Sequence, residues 1–169
     1  METITMSYLT RAEYWLLSTI LLYFLMNGAQ IFETLVFVPK WTASPPGTFG
    51  FLADSNGTSL KAFWIAFHSL HEIVFILAII FSWKIPGARL WLIILFIVHF
   101  AVRAWTLAYF APNIIEFQKI ASASAELPGD LAARVSMWRK LNYVRVAIFI
   151  AVSLAMVPVY QNILHLKNR

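Results

Sequence analysis

Two histidines and a glutamate lie close together in an otherwise apolar stretch of this chain, WIAFHSLHE (64–72). On a helix, His68 shares a face with His71, three residues further on, and with Glu72, four residues further on. Ionisable groups inside a membrane-spanning helix are costly, and they face the protein interior or a water-filled cavity. Because these residue types can transfer protons or ligate a metal ion, the stretch is a candidate functional site.

The composition indicates that this stretch lies in a membrane. The chain has 169 residues, of which 60% are hydrophobic and 12% charged, a balance typical of integral membrane proteins. It has no cysteine, which excludes disulfides, thiolate nucleophiles and cysteine-ligated clusters. The formal net charge of +5 is spread along the chain without a long basic run, so we expect no nucleic-acid partner.

The arrangement of apolar segments predicts the fold. Crossing the hydrocarbon core takes about 20 helical residues, and four segments meet that length. We therefore predict an all-α membrane protein, a four-transmembrane-helix bundle with short interfacial segments that forms one domain over the whole chain, 1–169. The predicted spans are 14–38, 60–83, 90–111 and 138–160.

Several features outside the spans are predicted as well. Pro39, Lys40 and Trp41 are expected to end the first span, and Pro112 to end or bend the third. The apolar loop 42–59 is expected to lie on the bundle as a lid. Residues 114–120 are expected to form a short interfacial helix, and Asp130 to cap the last helix.

The charges of the second connection predict an orientation. Four spans place both termini on one side of the membrane. The connection 84–89 lies on that side and carries Lys84 and Arg89 without an acidic residue. Since positively charged connections favour the cytoplasm, we expect a multi-pass protein of the plasma (inner) membrane with both termini cytoplasmic, in contact with the lipid bilayer.

The polar residues of the four spans fall at similar depth. Because the spans alternate in direction, these residues all come to the middle or to the half of the bundle away from the termini, where two glutamates balance two arginines. Unpaired ions in hydrocarbon are costly, so we expect the groups to meet in the interior as a polar pocket that opens away from the termini. The alternative is a structural network that fixes helix register without binding anything. The residues concerned are Asn27, Glu33, His68, His71, Glu72, His99, Arg103, Asn142 and Arg145.

This polar group suggests acid–base chemistry on a bound molecule. A histidine is a natural general base near neutral pH, and an arginine can stabilise the anion that forms. The candidate catalytic residues are His68, His71, Glu72, His99 and Arg103. The candidate substrate-binding residues are Asn27, Glu33, Trp64, Trp105, Trp138, Asn142 and Arg145.

Metal binding is the alternative chemistry. Histidines with a carboxylate can hold non-haem iron or copper, with His68, Glu72 and His99 as ligands. A haem could be ligated by one of the three histidines. The order H-x-x-H-E is not the H-E-x-x-H order of zinc proteases, and nearby arginines disfavour a cation. We therefore expect no metal or other cofactor.

A motif in the last span points to a family. The pattern Trp138-x3-Asn142-x2-Arg145, within MWRKLNYVR, occurs in a chain with four spans whose first span passes Asn27-Gly28 and ends at Pro39. In these features the chain resembles the anthrone oxygenase-like family of small membrane proteins. Its studied members oxidise anthrones to anthraquinones without a metal or flavin. The His68-His71-Glu72 cluster is not part of the shared pattern.

The resemblance implies an oxidoreductase, of monooxygenase type and without a cofactor, that acts on a lipophilic aromatic or quinone-like molecule. Two other functions fit the same residues. One is a non-catalytic binder or carrier of a lipophilic ligand or ion. The other is a partner subunit of a membrane complex, in which the polar layer pairs with another chain or with a second copy in a homo-oligomer.

Overall fold

The computed structural model describes residues 4–52, 60–122 and 129–169, and those ranges contain helices and turns but no strand. Two of the helices contain a single wider, π-helical turn. The elements in chain order are α1 (Met6–Phe32), the first π turn (Glu33–Phe37), α2 (Val38–Trp41), a 3-10 turn (Phe49–Leu52), α3 (Leu60–Phe81), α4 (Pro86–Trp105), the second π turn (Thr106–Phe110), α5 (Ala111–Ser122) and α6 (Leu131–Lys167).

These elements confirm the predicted all-α membrane fold. Four continuous helices are long and apolar enough to cross a membrane: Met6–Trp41, Lys61–Phe81, Pro86–Ser122 and Leu131–Lys167. The first, third and fourth predicted spans lie inside longer helices, while α3 ends at Phe81, before the predicted end. At 1.5 Å per residue, α3 is about 33 Å long and the other three are each about 55 Å long. Three helices therefore extend beyond the bilayer core, and α3 only just crosses it.

The first long helix ends at Trp41, the last residue of the predicted stop Pro39-Lys40-Trp41, whereas Pro112 does not end the third long helix, which continues to Ser122. The chain stays helical through both prolines, and each proline lies two residues after a π turn, in the sequences Phe37-Val38-Pro39 and Phe110-Ala111-Pro112. A proline ring clashes with the carbonyl four residues earlier and lacks an N–H. A π turn widens the helix at that point. We therefore attribute each π turn to the proline that follows it.

Two further local predictions are confirmed only in part. Residues 114–120 belong to α5, which continues the third long helix instead of lying separately in the interface, and Phe117 is buried. Asp130 is the N-cap residue of α6 as predicted, but its side chain makes no capping hydrogen bond. The buried Phe117 packs the end of the third long helix against other parts of the protein.

The four long helices pack in a ring. α1 lies between α3 and α6, and α4 packs against α6; the contact between α3 and α4 is the weakest of the four. The apolar side chains form two clusters. The terminal-side core lies in the half that carries the termini and includes Leu16, Phe75, Leu92, Phe149 and Met156.

The second cluster, the distal core, closes the opposite end. Phe49 and Leu52 are buried there against α5, and Gln118 Nε2 donates to the Leu52 carbonyl at 2.8 Å, so this part of the loop lies on the bundle as predicted. Phe51, in contrast, is exposed. The distal core consists of Val38, Trp41, Phe49, Leu52, Phe110, Phe117, Leu131, Val135 and Trp138.

An ion pair joins the two helices that support the distal core. Arg134 of α6 donates two hydrogen bonds to Glu116 of α5, one of them 2.7 Å long, and a third to Asn113. Its guanidinium also lies over the Phe117 ring. This bidentate geometry fixes the end of the third long helix against the beginning of the fourth.

Candidate functional site

The two apolar cores are separated by a layer of polar side chains, the polar layer. On α1, on α4 and on α6 these residues follow one core along the chain and precede the other. Glu33, Glu72, Arg103, Thr106 and Arg145 are partly buried. The fully buried members are Asn27, Gln30, Thr34, His68, His71, His99, Asn142 and Ser153.

The centre of the polar layer is a chain of four side chains from three helices. Tyr23 Oη lies 2.8 Å from His99 Nδ1. His99 Nε2 lies 3.7 Å from Glu72 Oε1, and Arg103 Nε donates to the same oxygen at 3.4 Å. We refer to Tyr23, His99, Glu72 and Arg103 as the relay.

The surroundings of His99 indicate its tautomer. A carboxylate only accepts hydrogen bonds, so the Glu72 oxygen favours a proton on the facing Nε2. Nδ1 is then the acceptor of a hydrogen bond from the Tyr23 hydroxyl. In this arrangement the N–H of His99 faces Glu72, and the other ring nitrogen is held by Tyr23.

The relay runs from the interior to the edge of the bundle. Tyr23 and His99 are fully buried, whereas the side chains of Arg103 and Glu72 are 16% and 27% exposed. The exposed end lies between α3 and α4, the most weakly packed pair of helices. We refer to the contact between α3 and α4 as the seam. A molecule that reached the polar layer along the seam would meet Glu72 and Arg103 first.

The other two histidines lie on either side of the relay. His71 is completely buried, with its ring 4.4 Å from that of Tyr23 and 5.1 Å from that of His99. Neither of its nitrogens makes a hydrogen bond of standard geometry, although the Thr19 backbone lies close by. His68 stacks on Trp64 at 5.3 Å and lies near Arg103 and Arg145.

Arg145 is the centre of a second polar group. It donates to Asn142 Oδ1 at 2.7 Å and to Thr106 Oγ1 at 3.5 Å, and its guanidinium lies 4.5 Å from the centre of the Phe110 ring. Asn142 in turn donates to Thr34 Oγ1 at 3.0 Å. The two π turns thus present Thr34, Thr106 and Phe110 to α6.

Glu33 supplies the negative charge of this second group. It is the first residue of the first π turn, and it lies near Arg145 and beside the Trp64 indole. The structure therefore contains two glutamate–arginine combinations, as the charge balance of the sequence suggested. His68 is near the arginine of each one.

The remaining predicted site residues have other surroundings. Asn27 donates to Ser153 Oγ at 2.8 Å and links α1 to α6. Trp138 donates to the Phe110 carbonyl at 3.3 Å, within the distal core, and Trp105 packs on the Phe110 ring. Trp41, at the end of the first long helix, is also buried in the distal core.

Sequence reasoning missed Tyr23, and it left the two threonines of the π turns out of the site residues although both fall on polar faces of their spans. Tyr23 could have been found, because a tyrosine in mid-span needs a buried partner for its hydroxyl. Thr34 and Thr106 gave no such signal, since a threonine can bond to its own helix, as Thr106 does with the Val102 carbonyl at 2.8 Å.

The described residues assemble no group of three histidines, aspartates or glutamates that could hold a metal ion. Glu72 and His99 meet, but His68, the third residue of the alternative ligand set, does not complete a site with them. The pronounced concavities of the described surface lie elsewhere: a groove of about 410 Å³ near the termini, lined by Gly87, Ala88, Trp91, Ala155, Pro158, Val159 and Asn162, and a shallow depression at Gly47, Thr48, Gly50 and Phe51.

The Trp138, Asn142 and Arg145 motif has a defined place in this geometry. Each of the three contacts a π turn: Trp138 and Arg145 reach the second, and Asn142 reaches the first. The motif therefore docks α6 on the two π turns. Comparison of the chain with protein-family models, with curated proteins and with solved structures gave no match.

Proposed function

We propose that this membrane protein is an oxygenase-like oxidoreductase that acts on a lipophilic aromatic or quinone-like molecule at the exposed end of the relay. The observation that carries the proposal is the chain from buried Tyr23 through His99 and Glu72 to Arg103. It combines a base, an imidazole N–H that faces this base, and a cation for the resulting anion. The resemblance of the Trp138, Asn142 and Arg145 motif in α6 to the anthrone oxygenase-like family supports the same reaction class.

The reaction starts with a substrate methylene group made acidic by flanking aromatic rings. Glu72 takes one proton from this carbon, and Arg103 stabilises the carbanion or its enolate form. His99 faces Glu72 through Nε2 and is itself held by Tyr23, so it orients the base. The chain supplies these groups without a cofactor.

Dioxygen is the oxidant that the scheme requires. The carbanion forms a carbon–oxygen bond with dioxygen, and the resulting peroxide anion takes up the proton held by Glu72. Removal of the second methylene proton then breaks the oxygen–oxygen bond, leaving a carbonyl group and releasing water. In total, one methylene and one dioxygen give one carbonyl and one water, and the four electrons lost by carbon reduce the oxygen.

The test uses purified protein in lipid nanodiscs with a hydroxylated anthrone under ¹⁸O₂. We expect formation of an anthraquinone with one labelled oxygen. Glu72→Gln removes the base and is expected to lower kcat about a hundredfold, the range attributed to a positioned general base. Product mass and initial rate are the measurements.

Glu116→Gln is the matched control, because it makes the same change in an ion pair outside the polar layer. It is expected to keep the wild-type rate. A wild-type rate equal to that of empty nanodiscs, or a Glu72→Gln rate equal to wild type, would contradict the proposal.

The tight packing around the relay favours a second candidate, a non-catalytic binder or carrier of the same class of lipophilic molecule. Tyr23 and His99 are fully buried, and the pronounced concavities of the described residues lie elsewhere. Saturable binding of the anthrone without turnover would favour this function over the first.

We further propose that the protein lies in the plasma (inner) membrane with both termini cytoplasmic. The four membrane-crossing helices and the positive charges of Lys84 and Arg89 in the second connection support this placement.

A further inference from the structure

Only one of the three nitrogens of the Arg103 guanidinium makes a hydrogen bond among the described residues. Within the described residues its single hydrogen bond goes from Nε to Glu72 at 3.4 Å, so both terminal amino groups lack a partner. Arg134, at the distal end, shows the contrast: both of its terminal amino groups bind Glu116, and one also binds Asn113. Arg103 thus has the geometry for a bidentate acceptor but holds only one carboxylate oxygen, at long distance.

The position of Arg103 makes an additional acceptor favourable. It is 16% exposed in the middle of the third long helix, at the seam where α3 and α4 pack most weakly. Open donors of a guanidinium in apolar surroundings are costly, and a planar anion that fills both would remove that cost. Such a ligand can arrive from the bilayer along the seam.

From this geometry we infer that Arg103 is the binding point for a planar, lipophilic monoanion whose charge is shared by two coplanar oxygens. Aromatic carboxylates and deprotonated aromatic hydroxy-ketones have this chemistry. Glu72 is the internal carboxylate that occupies Arg103 when no ligand is present. The inference rests on the site of the proposed function and adds the charge and shape of the molecule that it accepts.

When a ligand displaces Glu72 from Arg103, Glu72 still lies beside His99. Its bond to Arg103 is single and long, and its side chain is 27% exposed, so it can move aside. His99 Nε2 is already 3.7 Å from the same oxygen, beyond hydrogen-bond distance, and in the tautomer that the Tyr23 contact favours its N–H faces that oxygen. Ligand binding therefore shifts Glu72 from Arg103 to His99, which places a free base next to the bound anion.

Binding can be measured without any reaction. The probe is anthracene-2-carboxylate, a fluorescent carboxylate without an oxidisable methylene, and anthracene-2-carboxamide is its neutral counterpart. Fluorescence anisotropy in nanodiscs at neutral pH, with empty nanodiscs subtracted, gives the affinity. We expect saturable binding of the carboxylate and at least about tenfold weaker binding of the amide, since a charge-assisted hydrogen bond contributes that much.

The variants are expected to change this affinity in opposite directions. Glu72→Gln removes the internal competitor and strengthens carboxylate binding about tenfold. Arg103→Lys keeps the charge but loses the bidentate geometry and weakens binding, and Arg103→Gln abolishes it. Glu116→Gln, the same change as Glu72→Gln at the distal ion pair, leaves binding as in wild type. Circular dichroism and size-exclusion chromatography confirm that each variant is folded.

A purely structural ion pair predicts a different result, because neither variant of the pair would then bind the probe more tightly. Equal affinity for carboxylate and amide, or unchanged or weaker carboxylate binding by Glu72→Gln, would overturn the inference. Turnover of an anthrone without carboxylate preference would remove the inference and leave the proposed function. Carboxylate preference without turnover would support the inference and contradict the proposed function.

Discussion

At the scale of single residues, Tyr23 shows how a hydroxyl is accommodated in the middle of a membrane span. Its side chain is completely buried, its hydroxyl meets His99 Nδ1, and its ring packs against those of His71 and Phe149. The apolar part of the ring belongs to the terminal-side core, and the hydroxyl to the polar layer. One side chain therefore joins the two regions.

Replacing Tyr23 by phenylalanine tests the bond to His99. The ring is kept, but His99 Nδ1 loses its partner in a buried site, so we expect a loss of about 1 to 2 kcal/mol in the free energy of unfolding. Tyr14→Phe is the control, because Tyr14 is exposed and has no hydrogen bond to lose among the described residues. Unfolding in mixed micelles measures both, and equal stability of the two variants would show that the bond contributes nothing.

The residues of the site could be predicted from the sequence only in part. Glu72, His99 and Arg103 were recognised because an ionisable side chain in a membrane span is costly and therefore indicates a candidate functional site. How they pair was beyond the sequence, since helical spacing alone grouped His68 with Glu72, whereas the structure brings His99 to it from another helix. Tyrosine and threonine are common in membrane helices, so Tyr23 and Thr34 did not stand out.

At the scale of elements, the two π turns decide which groups face α6. Each begins with a polar residue of the layer, Glu33 or Thr106, and each is followed by a proline. A regular helix at either place would rotate these side chains to other directions. The wider turns therefore bring Thr34 and Thr106 within reach of Asn142 and Arg145.

Deleting one residue in a π turn tests this role. A π turn contains one residue more than the α-helical turn that would replace it, so removal of Leu107 restores regular helix and keeps the flanking helices in register. The matched control is removal of Ile97 from regular helix in α4, where both residues are similarly exposed, 65% and 61%. That deletion rotates all following residues by about 100° relative to the preceding ones.

We expect the Leu107 deletion to give folded, monodisperse protein that has lost the Arg145–Thr106 contact, and the Ile97 deletion to give none. Yield after size-exclusion chromatography and helical content by circular dichroism are the measurements. Failure of both deletions alike would show that the π turn has no special tolerance.

The four spans could be predicted because length and hydropathy determine what crosses a bilayer. The ends of the helices could be predicted only in part. Hydropathy does not distinguish apolar residues that face lipid from those that face the distal core, so α5 was interpreted as an interfacial helix. Pro112 does not end the third helix, because a π turn offered an alternative to ending it, whereas the first helix does end at the predicted stop, at Trp41.

At the scale of the whole molecule, the distal core holds three long helices together, and no described residue of α3 belongs to it. Phe117 is completely buried between the Trp41 and Phe49 rings. We expect Phe117→Ala to lower the free energy of unfolding by about 3 to 4 kcal/mol, as for other buried phenylalanines. Ile115→Ala, at an exposed position on the same helix, is expected to change it by less than about 0.5 kcal/mol.

Unfolding in mixed micelles also measures this pair of variants. If the Phe117 variant were as stable as the Ile115 variant, the distal core would not contribute to the stability of the bundle.

The short α3 connects the bundle to the thickness of its membrane. With 22 residues it spans about 33 Å, close to the roughly 30 Å of a hydrocarbon core, so it has little length with which to tilt. The other three helices are longer than the hydrocarbon core and can slide or tilt within it. Hydrophobic mismatch in a thicker bilayer therefore affects α3 first. Since α3 carries Glu72, membrane thickness bears directly on the seam at which Glu72 and Arg103 meet.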